Sequence, residues 1–311
     1  MVRVKLSAFN NTSDEIQLNF ANMGDLVQPL NASTVSVIKF TIPNGGNPII
    51  EFVDNRYSFT LTYDGASYTQ VVEWEDRGTE FMGIKNVFEV DHICSMLNKA
   101  LSDAVTGLNA IKALPSTTAP RVLYNVDTSR YEMVVLTSAY ESTLAKPVKI
   151  YSNRPLFYIL QSLPTIYHRT NPSETQFEYY FKQIPENTYA TSYIKTIQES
   201  ITMSNYASVR TILLSTSMPV EGMIICSSSA NAGQHSLNII QTYNIPYTNG
   251  VIDECENLEF TSPENGYRTC RITGKDLYSI KCDVYYETNE GVVRPFYLPP
   301  YTCAFIELEF L

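Results

Sequence analysis

Along most of this chain the side chains change character at every second residue. That period belongs to strands whose two faces meet different surroundings. Ile38, Phe40 and Ile42 share one face, with Lys39 and Thr41 on the other. Tyr57, Phe59, Leu61 and Tyr63 repeat the pattern, Asp64-Gly65 follows, and a second extended run continues through Val72 and Trp74. Asp-Gly supplies the positive φ angles of a tight turn, so a hairpin is predicted there. A second hairpin is expected from residues 122–126 and 131–136, turning at Asp127-Thr128-Ser129. Further strands are expected at 177–181, 193–197, 209–214, 223–226, 237–243 and 268–272. Near the end, Ile280, Cys282, Val284 and Tyr286 alternate with Lys281, Asp283, Tyr285 and Glu287, and Asn289-Glu290-Gly291 makes a turn. Ala304, Ile306, Leu308 and Phe310 alternate with Glu307 and Glu309, and the apolar Leu311 implies an end tied into a sheet.

One segment breaks the period. Val90, Ile93, Leu97, Leu101, Ala104, Leu108 and Ile111 recur at spacings of three and four, one stripe on a helix over about 86–113. Asn86 and Glu89 can form a capping box, Pro115 ends the segment, and Gly107 weakens its last turns. The face opposite the stripe lacks the basic residues of a membrane-surface helix, so docking on a sheet is expected. A shorter helix is expected near Asn153, carrying Leu156, Ile159, Leu160 and Leu163, with Pro155 in its first turn and Pro164 after it. Many short strands between turns, with one long docked helix and a short second one, describe an all-β chain of the sandwich or jelly-roll type. With 311 residues it has room for one large all-β domain or two smaller ones.

Charged residues make up 17% of the chain, against about a quarter in ordinary domains, while there are 22 Tyr and 14 Phe. Net charge is −10, and Lys146, Lys149 and Arg154 are the nearest approach to a basic cluster. A protein that grips phosphates concentrates positive charge, so no specific nucleic-acid binding is predicted. None of the six cysteines lies in a CxxC pair. Cys270, Cys282 and Cys303 fall in strand-like runs and are expected as packed, reduced thiols, Cys282 and Cys303 facing inward. No signal peptide opens the chain, where Met1 leads into a strand-like alternation. No apolar stretch reaches transmembrane length, so no membrane insertion is expected. Asn31-Ala32-Ser33 fits a glycosylation sequon and is read as chance.

Residue patterns for chemistry are sparse. His92, His168 and His235 stand far apart, in no metal-ligand spacing. His92 and Cys94, two apart on a helix, point to different sides and make a poor catalytic pair. Ser227-Ser228-Ser229 near His235 reads as a polar loop without the surroundings of a nucleophile elbow. Gly274-Lys275-Asp276 lacks the rest of a phosphate loop, and Gly45-Gly46 reads as a turn. Asp253, Glu254 and Glu256 could collect a calcium ion but lack the ordered spacing of a calcium loop, which favours a solvated loop. No catalytic, cofactor-binding or metal residue is assigned, and no cofactor is expected. A Tyr-rich, weakly charged chain with long polar loops suits assembly through its surfaces.

Several segments resemble the penton-type minor capsid proteins of virophages and polinton-like viruses. Gln28-Pro29-Leu30-Asn31 is followed by Val37-Ile38-Lys39-Phe40-Thr41-Ile42-Pro43-Asn44, and the helix carries His92-Ile93-Cys94-Ser95-Met96-Leu97-Asn98-Lys99-Ala100-Leu101. Then come Ile150-Tyr151-Ser152-Asn153-Arg154-Pro155-Leu156, Met203-Ser204-Asn205 and Leu213-Leu214-Ser215-Thr216-Ser217-Met218-Pro219-Val220. Tyr267-Arg268, the run from Asp283 to Gly291 and Arg294-Pro295-Phe296-Tyr297-Leu298 complete the set. The resemblance implies an elaborated jelly-roll β-sandwich that forms homopentamers at icosahedral vertices beside capsomers of a major capsid protein. It would be located in the virion and assembled in the host cytoplasm or nucleus. It implies an N-terminal strand or arm over 1–33, then a jelly roll over 34–311 with a hairpin-and-helix insertion at about 57–165. It implies no enzyme activity and carries no functional-site residue across. Two other classes remain open at this point: a virion attachment or fibre subunit that trimerises or binds a glycan, and a β-sandwich hydrolase with a dispersed carboxylate pair.

Overall fold

The structure is a computed structural model. It describes residues 1–14, 16–21, 30–43, 48–78, 80–81, 83–184, 188–189, 192–201, 209–221, 223–229, 233–244, 257–261, 269–273, 277–288 and 291–311. The chain divides into two compact units. The first comprises Met1–Pro48, Ala207–Tyr247 and Ile252–Leu311, and the second Ile49–Tyr206 with Thr248–Val251.

In chain order, the first unit opens with β1 (Val2–Phe9), β2 (Ile16–Gln17), β3 (Asn19–Ala21) and β4 (Thr34–Pro43). The second contributes β5 (Ile50–Phe52), β6 (Ser58–Tyr63), β7 (Ala66–Val71), β8 (Glu80–Phe81), β9 (Ile84–Val87) and helix α1 (Val90–Ile111). It continues with β10 (Arg121–Asn125), β11 (Arg130–Leu136), α2 (Thr137–Tyr140), β12 (Lys149–Ser152), α3 (Arg154–Ile159) and β13 (Thr165–Tyr167). It closes with β14 (Phe177–Tyr179), β15 (Thr188–Tyr189) and β16 (Tyr193–Ile197). The first unit then resumes with β17 (Val209–Thr216), β18 (Val220–Glu221), β19 (Met223–Ser229), β20 (Gly233–Asn244), β21 (Asn257–Thr261) and β22 (Thr269–Ile272). Its last strands are β23 (Lys281–Thr288), β24 (Val293–Pro295), β25 (Tyr297–Leu298) and β26 (Cys303–Phe310).

In the first unit, one antiparallel sheet runs β1-β26-β4-β22-β18, with β21 also on β4. The other runs β19-β20-β17-β23-β24, with β3 also on β23. Register explains the shared core. Ile212 lies opposite Tyr286 and Leu214 opposite Val284, while Ile306 lies opposite Phe40 and Phe310 opposite Val35. All eight are buried in one cluster, which closes the two sheets into a sandwich. Phe40 from the first sheet stacks on Tyr243 from the second at 5.6 Å and on Phe260 at 5.8 Å, and Phe20 meets it edge-on at 6.2 Å. Leu311 is bonded to Thr34 in both directions, at 3.0 and 3.1 Å, so the end is tied into this unit.

In the second unit, sheets β13-β14-β12-β6-β7, β10-β11-β16-β15 and β5-β9-β8 share a separate core with α1. Asp64 (φ 46°) and Gly65 (φ 84°) make the expected turn between β6 and β7. The second hairpin turns through Ser129 at φ 54°. The helical stripe is buried against β6, β7 and β10 from Val90 to Leu108, while Ile111, expected as its last member, is 60% exposed at the helix end. Asn98 on α1 donates its amide to the Val122 carbonyl (2.9 Å) and accepts from the Val122 N–H (2.7 Å), so a side chain occupies a backbone pairing position on the edge strand β10. Asn153 caps α3, accepting from the Leu156 N–H at 3.2 Å, with Pro155 in the first turn; the helix is shorter than expected, so Leu160 and Leu163 are buried but lie beyond its last residue, Ile159.

Four local expectations are corrected. The Asn86–Glu89 capping box does not form: Asn86 pairs with Glu51 within β9, and α1 starts only after Glu89, whose side chain makes no capping bond. Ser227-Ser228-Ser229 is strand rather than loop, paired with residues 233–235 of β20, because backbone pairing does not require an apolar face. Cys303 is only half-buried: with Ala304, Ile306, Leu308 and Phe310 on the inner face, alternation turns it the other way. Glu309, expected outward for solvent or neighbours, is 9% exposed and accepts from Arg3 Nε at 2.9 Å. Gly45-Gly46, Asp253, Glu254, Glu256, Gly274-Lys275-Asp276 and Asn289-Glu290 lie outside the described residues.

Candidate functional site

The two described histidine side chains do not meet. His92 is buried on α1, its Nε2 2.7 Å from the Glu75 carbonyl oxygen and its ring 5.0 Å from that of Trp74. Cys94 is buried nearby, its thiol pushed up to about 12 by burial first and by the Asp91 charge second. An un-ionised thiol is a poor nucleophile, and His92 is committed to the Glu75 backbone. The side chain of His235 is not among the described ones.

His168 belongs to a group that sequence reasoning missed. Its Nε2 lies 2.7 Å from Glu178 Oε2, Tyr151 donates its hydroxyl to the same oxygen (3.1 Å), and Lys149 Nζ lies 3.1 Å from Oε1. Cross-strand register assembles them: Ile166, Glu178 and Tyr151 form one row across β13, β14 and β12. Burial, then the Glu178 charge, pushes the Tyr151 hydroxyl up to about 12. Both carboxylate oxygens are occupied, so the group is a clasp that holds the connection after β13 onto the sheet, with little left to accept a substrate proton. A carboxylate between two aromatics, Phe177-Glu178-Tyr179, was the available signal.

A second buried carboxylate sits on β10-β11-β16. One face of these strands, with Val122, Met133, Val135 and Ile194, belongs to the core. On the other face Leu123, Glu132 and Ile197 form one row, and Arg121, Val134 and Lys195 the next. Glu132 is 5% exposed, held by Lys195 Nζ at 3.2 Å and by the Asn125 amide at 3.2 Å. Flanking it in the same row, Leu123 and Ile197 are 38% and 41% exposed; Tyr189, on the adjoining strand β15, is 49% exposed, with Lys195 Nζ 5.5 Å from its ring centre. Among the described residues no group of three His, Cys, Asp or Glu side chains could hold a metal ion. A small cavity in the second unit is lined by apolar and aromatic side chains such as Ile50, Phe52, Val72 and Met96.

Residues 47–311 match the family of the Sputnik minor capsid protein V18/19. The chain belongs to that family. Its fold is similar to a chain in the 3.5 Å cryo-EM structure of the Sputnik virophage, with a TM-score of 0.77 at 20% identity, covering 98% of this chain and 96% of that one. It is also similar to the mavirus penton protein, with a TM-score of 0.68 at 11% identity, covering 99% of this chain and 97% of that one. No curated protein matches. A minor capsid protein is a structural component of a virus particle, and the all-β jelly-roll architecture with one long helix agrees with that assignment.

Proposed function

We propose that this minor capsid protein is a penton subunit: a homopentamer that closes the five-fold vertices of an icosahedral virion, beside capsomers of a major capsid protein. The observation that carries this reading is the likeness to the mavirus penton protein over almost the whole of both chains. The role is structural rather than enzymatic, and the protein resides in the virion after assembly in the host cytoplasm or nucleus. Residues 1–33 act as an arm or first strand. The segment at about 57–165 belongs to an insertion in the jelly roll, a reading supported by the way the first unit draws on both sides of the second in sequence.

Native mass spectrometry of the intact chain tests the stoichiometry. Five copies are expected; three would favour a fibre subunit instead. Reconstruction of particles should place the chain at five-fold positions, and density at hexameric positions would overturn the penton reading.

A further inference from the structure

The outward face of β10-β11-β16 has a composition that a solvated sheet face does not need. Leu123 and Ile197 stand exposed on either side of a carboxylate, Glu132, already neutralised by Lys195, whose ammonium also faces the exposed ring of Tyr189 on the adjoining strand β15. Arg121 and Arg130 border the same rows, and among the described residues neither has a carboxylate partner; Arg130 Nε is buried without a hydrogen bond. The face is therefore apolar with two uncompensated guanidinium groups, in a chain whose net charge is −10. The same unit carries the opposite surface near the start of α1, where Glu73, Glu89 and Asp91 are 62%, 70% and 87% exposed and Asp76 is exposed too. Among the described residues, Arg77 and Lys99 are the cations that offset these carboxylates.

We infer that the outward face of β10-β11-β16 is an interface for a second copy of this chain, receiving that copy's acidic surface around Glu73 and Glu89. A head-to-tail contact needs two different complementary surfaces on every subunit, and repetition of one such contact closes a ring. Leu123 and Ile197 supply the apolar centre, and the arginines fix register and exclude wrong partners. This inference rests on the pentamer reading.

The test is native mass spectrometry of the full chain over a dilution series, with circular dichroism to confirm folding. Leu123→Asp with Ile197→Asp should raise the concentration at which rings dissociate by about tenfold or more. Arg121→Glu should weaken the ring, and Glu73→Lys with Glu89→Lys in the same chain should restore it. Hydroxyl-radical footprinting of the unaltered chain needs no variant: Leu123 and Tyr189 should be protected in rings and reactive in dilute monomer. A five-fold ring that keeps its dissociation midpoint in the folded variants, or Arg121→Glu weakening without rescue, overturns this interface and leaves the penton reading standing. A wild-type chain with another stoichiometry overturns the penton reading itself.

Discussion

At the scale of single residues, Gly107 shows how a local rule gives way to packing. A glycine in the last turns of a helix weakens it by about 1 kcal/mol relative to alanine. Here a Cβ at 107 would run into the ring of Tyr68, which lies across the helix from β7. Gly107→Ala is therefore expected to destabilise the second unit by about 1–3 kcal/mol, the usual range for an overpacked contact. In the Tyr68→Ala background the same change should turn neutral or stabilising, read by denaturant unfolding. The buried thiols give a second residue-level prediction. Burial pushes Cys94 and Cys282 up from 9.0 to about 12. A pKa raised in the fold leaves that stability intact below the unfolded value and removes it as pH rises towards the folded one. Stability should therefore fall between about pH 9 and 12, with Tyr151 adding to the upper part of that window. Neither thiol should be alkylated in the native chain at about pH 8, whereas both should react in denaturant; the mass of the labelled chain decides.

At the scale of elements, the strands whose faces differ most were those legible beforehand. In β23, Cys282, Val284 and Tyr286 are buried while Lys281 is exposed and Asp283 and Tyr285 are intermediate, which is the alternation in the sequence. Val284→Asp, a charge placed in the first unit's core, should unfold that unit, whereas Tyr285→Ala should leave it folded. Near-ultraviolet circular dichroism and a thermal melt of both variants distinguish the outcomes. The start of α1 was less legible. Asn86 and Glu89 have the spacing of a capping box, but pairing of β9 with β5 holds Asn86 in an extended conformation. Likewise Ser227–Ser229 carry no apolar period, and only the partner strand makes them β-structure.

At the scale of the whole molecule, two separate cores imply two units that unfold with some independence. Leu101 is fully buried in the second core, and Leu101→Asp should cost several kcal/mol through a lost apolar contact and a stranded charge. Calorimetry should then show one transition moved to lower temperature and another retained. A single transition shifted as a whole would mean that the two cores act as one cooperative unit.

Residue order alone shows which faces are apolar and where the chain must turn, because the two-residue and three-to-four-residue periods and Asp64-Gly65 are local properties of the backbone. It therefore announced an all-β chain with one docked helix and placed Val284 and Leu101 inside. Which strands are neighbours emerges only on folding, because those contacts join residues far apart in the chain. Glu178 meets Lys149, Tyr151 and His168 only because β12, β13 and β14 pair in one register. Glu309 finds a cation only because β1 pairs with β26 and sets Arg3, from the other end of the chain, directly opposite it. Leu123, Glu132 and Ile197 form one row only because β11 lies between β10 and β16. Periodicity sets the side of a strand on which a residue lies; the hydrogen-bonded partner strand sets what it meets there.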